Sequence, residues 1–102
     1  METKKQNLLQ SIDYQANSIV SKQILKKPNG NITLFALDKG ESIAEHISPY
    51  EALVQILEGK TVVTIGGQPY TLVGGDFILL PPNISHGLVA EEKTKMLLTM
   101  IK

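Results

Sequence analysis

The chain has 102 residues, a length suited to one domain around one core. Ten lysines balance ten acidic residues, and no arginine supplies a bidentate fork for phosphates or base edges, which disfavours nucleic acid as a partner. No apolar run reaches the roughly 18 residues of a membrane span, no signal-type apolar segment opens the chain, and zero cysteines exclude disulfides and thiolate chemistry, so the expected setting is cytoplasmic, away from any membrane.

Residues 1–17 form a polar N-terminal segment in which Leu8, Leu9 and Ile12 recur at i, i+1 and i+4. That spacing suits a short amphipathic turn of helix on the edge of a domain, or a partly ordered tail. From residue 18 to 102 the pattern changes. Turn chemistry recurs about every eight to ten residues, at Pro28-Asn29-Gly30-Asn31, Asp38-Lys39-Gly40, Glu58-Gly59-Lys60, Gly66-Gly67-Gln68-Pro69, Gly74-Gly75-Asp76, Pro81-Pro82-Asn83 and Glu91-Glu92-Lys93. Glycine and proline at this density leave no room for long helices. Between them lie short segments rich in Val, Ile, Leu, Thr, Phe and Tyr. These predict strands over 18–26, 31–37, 42–47, 51–58, 61–66, 69–73, 76–80, 85–90 and 94–101. The 61–66 and 69–73 pair is the clearest hairpin. The fold class is therefore all-β, a sandwich or barrel.

Two predicted strands are apolar on both faces. Along Leu53–Leu57, Val54 and Ile56 share one side, and Leu53, Gln55 and Leu57 the other. The run Met96 to Ile101 is similar. The second face of each needs a cover, which either a second subunit or the N-terminal segment could provide. A homodimer is the expectation.

Two spaced patterns carry the chemistry. The first is Gly40, five residues, His46, then Ser48, and on to Glu58-Gly59. The second is Gly75, five residues, Pro81, then Asn83 and His86. Together, over roughly residues 30–101, they resemble the two motif regions of the cupin superfamily. The resemblance implies a single-domain, RmlC-like jelly-roll β-barrel over 18–102 with a pocket at one end. Many cupins hold a metal there with two histidines and a glutamate from the first motif and a histidine from the second. By that resemblance His46 and His86 stand at ligand positions, Ser48 replaces the second histidine and Ala52 the glutamate. Asn83 stands where glycine is usual, and Ala90 where asparagine is usual.

A tightly held Zn or Fe ion generally needs at least three protein ligands. Two imidazoles would hold a divalent metal weakly, and Glu45 and Glu51 fall on outward positions by strand alternation. The expectation is a degenerate metal site whose pocket, lined by His46, Ser48, Tyr50, Ala52, His86, Phe35, Phe77 and Met100, takes a small organic ligand. Three alternatives accompany it: a metal-dependent oxygenase, isomerase or decarboxylase with two histidines plus water or substrate; a metal-free acid–base enzyme using the two histidines; and a structural homodimer with a vestigial pocket. No cofactor is firmly implied, and no nucleophile turn identifies a reaction.

Overall fold

The computed structural model describes residues 3–102, and strand is its only regular secondary structure. Nine strands follow in order: β1 (Ile19–Lys27), β2 (Gly30–Leu37), β3 (Ser42–His46), β4 (Glu51–Glu58), β5 (Lys60–Ile65), β6 (Gln68–Val73), β7 (Phe77–Leu80), β8 (His86–Ala90) and β9 (Thr94–Ile101). Each matches a predicted segment, with ends displaced by at most one residue. They form two antiparallel sheets, ordered β1-β2-β9-β4-β7 and β3-β8-β5-β6. The fold is a single-domain jelly roll.

Period-2 alternation decides what each strand buries. In β4, Ala52, Val54 and Ile56 turn into the space between the sheets; β9 does the same with Met96 and Leu98. Leu37 joins them from β2 of the same sheet, and Val63 and Leu72 complete this core from the facing sheet. Each Val, Leu, Ile or Met side chain among them taken fully out of water contributes about 1.5–3 kcal/mol before conformational entropy is subtracted. At one end of the sandwich Thr61 and Thr94 are fully buried, and the Thr61 hydroxyl donates to Thr94 Oγ1 at 2.9 Å. Buried hydroxyls are tolerated there because they satisfy one another. The hairpin between β5 and β6 turns on Gly66 (φ 55°) and Gly67 (φ 83°). Both residues sit in the left-handed region that a two-residue turn matching strand twist requires.

Over its described residues, 3–17, the N-terminal segment is a clasp, not a helix. Leu8–Gln10 makes one turn, closed by the Ser11 N–H donating to the Leu8 carbonyl at 3.2 Å. Leu8 and Leu9 remain exposed, so the amphipathic helical turn does not form, whereas Ile12 is buried. Ile12 packs with Leu34 and Ala36 on the outer face of the larger sheet, with Tyr14, Val20, Leu57 and Leu97 around it. The Tyr14 hydroxyl donates to Glu58 Oε2 at 2.7 Å, and the buried Lys95 ammonium donates to the Leu9 carbonyl. Burial raises the Tyr14 phenol pKa, and the Glu58 carboxylate pushes it the same way.

The segment therefore covers part of the second apolar face of β4 and β9. It leaves Phe77 and Leu79 of β7 and Ile101 of β9 more than half exposed, at 66%, 53% and 63%.

Candidate functional site

The two histidines come from strands that are neighbours in the smaller sheet. In the β3–β8 register Ile43 faces Leu88 and His46 faces His86. Three residues advance on β3 while two advance on β8, so Ala44–Glu45 forms a bulge. Strict alternation would put Ile43 and His46 on opposite faces. The extra residue reverses the parity, and both line the same cavity. Gly87 makes the bulge possible. A β-carbon built on it would lie 2.9 Å from the Ile43 carbonyl oxygen, the Glu45 nitrogen and Glu45 Cγ, with no room for a side chain.

The cavity opens at the end of the barrel away from the Thr61–Thr94 pair. It encloses about 70 Å³. Its polar groups are His46, His86 and Ser48; its apolar wall includes Ile43, Val63 and Leu88 from the smaller sheet and Ala52, Val54, Leu80, Met96, Leu98 and Met100 from the larger. No charged side chain lines it among the described residues. The imidazole rings meet edge to face, with centroids 4.4 Å apart and planes at 69°. His46 Nδ1 lies 3.0 Å from the Ala44 carbonyl oxygen, and His86 Nδ1 lies 3.3 Å from that of Ile84. His86 is buried and His46 more exposed. Burial lowers the His86 pKa below its ordinary 6.5; the hydrogen bond to the Ile84 carbonyl opposes this, and His46 adds to it.

The loops that carry the two motifs are tied together. The Asn83 N–H donates to the Ser48 carbonyl at 2.7 Å, and Ser48 Oγ accepts the Tyr50 N–H at 3.2 Å. Asn83 has a φ of 64°. Asparagine tolerates this left-handed conformation better than most residues do, so it meets the backbone demand at a position where the second cupin motif usually has glycine.

Five of the eight residues expected at the pocket, His46, Ser48, Ala52, His86 and Met100, line it together. Three do not. Phe35 packs against the core behind the cavity. Tyr50 stands in the loop before β4, exposed, with the Lys102 ammonium 5.6 Å from its ring centroid. Phe77 points to the opposite face of β7 from Ile78, which packs on the core. Alternation misplaces Tyr50 because Ile47–Tyr50 is not strand. The inward partners of Ala52 on β4 and of Met100 on β9 (Val54, Met96 and Leu98) also line the cavity. Period-2 alternation from the expected residues leads to them directly.

The donor set does not make a metal cage. Among the described residues no group of three or more His, Cys, Asp or Glu side chains could hold an ion. Glu45 and Glu51 are exposed, and Ser48 and Ala52 supply no strong donor. The site fits two imidazoles facing an apolar space, not the four-ligand set of many cupins.

A jelly roll with both motif loops at one open end is the architecture of a cupin barrel, and comparison with known proteins agrees. The family description "Cupin domain" matches residues 33–102, and the chain belongs to that family. A conserved protein of unknown function from Streptococcus pyogenes is 34% identical, with a TM-score of 0.94 over 100% of this chain and 90% of that one. A cupin 2 conserved barrel domain protein from Leptotrichia buccalis is 40% identical, with a TM-score of 0.91; the match spans 94% of this chain but 47% of that one. A cupin superfamily protein from Desulfitobacterium hafniense is 26% identical, with a TM-score of 0.90 over 99% and 94% of the two chains. No curated protein matches. No helix among the described residues is long and apolar enough to cross a membrane.

Proposed function

We propose that this cupin is a small-molecule-binding module whose barrel pocket takes a small, mainly apolar organic ligand at a degenerate metal site. One observation carries the reading: the cavity brings His46 and His86 together, while the other two family ligand positions are Ser48 and Ala52. A pocket with apolar walls and a few convergent polar groups is the usual form of a small-molecule site. A cytoplasmic setting and a homodimer belong to the same reading. Support for the dimer comes from Phe77, Leu79 and Ile101, which the N-terminal clasp leaves uncovered.

The test is metal analysis of protein purified without a metal-binding tag, followed by thermal-shift screening of small organic molecules. Little metal, together with a shift that His46→Ala or His86→Ala abolishes, is the expected result. Stoichiometric metal lost in the same variants would favour the second reading, a metal-dependent cupin enzyme using the two histidines plus water or substrate. That reading has one observation behind it: each Nδ1 rests on a backbone carbonyl, the posture in which ligating histidines are commonly held.

A further inference from the structure

The hydrogen bonds behind the two imidazoles decide what they present to a ligand. A carbonyl oxygen has no proton to give, so in each contact the ring nitrogen donates. Both partners are backbone carbonyls, Ala44 for His46 and Ile84 for His86. A neutral imidazole carries one N–H, and here that proton is committed to Nδ1 in both rings. The polar atom left on each ring is Nε2, with a lone pair and no hydrogen.

Ser48 adds the third polar function. Its Oγ already accepts the Tyr50 N–H, so its own proton is available to give. No Lys or Arg lines the cavity. The site therefore holds two acceptors, one donor and no cation, set in an apolar wall. We infer that the pocket selects a neutral organic ligand bearing a hydrogen-bond donor, a short-chain alcohol in the simplest case, and discriminates against carboxylates and acceptor-only molecules of the same size.

A hydroxyl group matches each feature. Its proton goes to an imidazole Nε2, its oxygen accepts from Ser48, and its alkyl part lies against Leu80, Leu98 and Met100. A carboxylate would bring acceptors to two lone pairs and give up hydration with only one hydroxyl to replace it. An ether would satisfy Ser48 and leave both imidazoles unpaired. The enclosed volume, about 70 Å³, is less than half of the roughly 150 Å³ that holds benzene in a dry engineered cavity. That suits an alkyl alcohol of a few carbons, or the hydroxyl end of a longer molecule whose remainder leaves by the open mouth.

This inference rests on the proposed ligand-binding function, and the experiment separates the two. Isobutanol, its isomer methyl isopropyl ether, and isobutyrate are titrated at pH 8 with chelator present, following histidine ring and methionine methyl signals by NMR. The expected result is Nδ1–H tautomers on both rings and isobutanol binding about tenfold tighter than either competitor, a preference lost in His86→Phe. An Nε2–H tautomer on either ring, or equal or tighter binding of the ether or isobutyrate, overturns the alcohol preference and leaves ligand binding standing. No response to any probe at cavity signals overturns both. One zinc retained per chain that isobutanol cannot displace also overturns both.

Discussion

The β-carbon that Gly87 lacks would stand 2.9 Å from Glu45 Cγ and from the Glu45 backbone nitrogen, so the close approach of β8 to the β3 bulge depends on a missing side chain. The bulge in turn lets His46 share a cavity with Ile43 and His86. Backbone atoms cannot swing aside as a flexible side chain can. Gly87→Val should therefore destabilise the fold by about 1–3 kcal/mol, the usual cost of overpacking. It should also shift the His46 ring signals more than those of Tyr14, at the far clasp. Urea denaturation and NMR check both; a variant as stable as the parent, with His46 unmoved, would refute this account of the bulge.

Asn83 offers a test of backbone conformation alone. Its φ of 64° is costly for most side chains, and its N–H bond to Ser48 needs only the backbone. Asn83→Gly should keep stability close to the parent. Asn83→Ala should lose about 1–2 kcal/mol, the cost of a left-handed conformation. Equal denaturation midpoints for the two variants would contradict the argument.

His86 predicts the direction of pH dependence. Its pKa in the folded chain lies below the ordinary 6.5, chiefly because burial disfavours the charged ring. The unfolded chain therefore binds more protons once pH falls through about 6.5, and stability decreases with falling pH until the folded value is reached. Above pH 7 this contribution is constant. His86→Gln should flatten the part of the urea-midpoint profile between pH 8 and 5 that belongs to this ring; an unchanged profile would assign the loss to other groups.

The N-terminal clasp can be weighed residue by residue. Ile12 is 6% exposed against Leu34 and Ala36, so Ile12→Ala should cost about 2–5 kcal/mol. Tyr14→Phe removes the bond to Glu58 and should cost about 1–3 kcal/mol. A double-mutant cycle with Glu58→Gln isolates the pair; a coupling energy near zero would show that the clasp holds by packing alone.

The proposed homodimer places Phe77, Leu79 and Ile101 against a second copy. Light scattering coupled to size exclusion should give twice the 11.2 kDa chain mass for the parent. Leu79→Lys should give the chain mass with folding intact. A monomeric parent at high micromolar concentration would remove the dimer from the reading.

The nine strands and their turns were legible because their signals are local. Alternation in β4 separates Ala52, Val54 and Ile56 from Leu53, Gln55 and Leu57, and Gly66-Gly67 marks a turn without knowledge of the rest of the chain. The all-β class and the two motif segments follow from residue order alone. Facing is not local. Tyr50 leaves the side expected of it because Ile47–Tyr50 is irregular, and Phe77 turns outward because its neighbour Ile78 takes the core position. His46 joins Ile43 in the cavity only through a bulge that Gly87 accommodates from another strand. Strand and turn propensities act over a few residues, whereas one residue of slippage between paired strands reverses a whole face. That is why the segments could be read along the chain, while the composition of the pocket and the cover provided by Ile12 and Tyr14 were decided by packing between segments far apart in it.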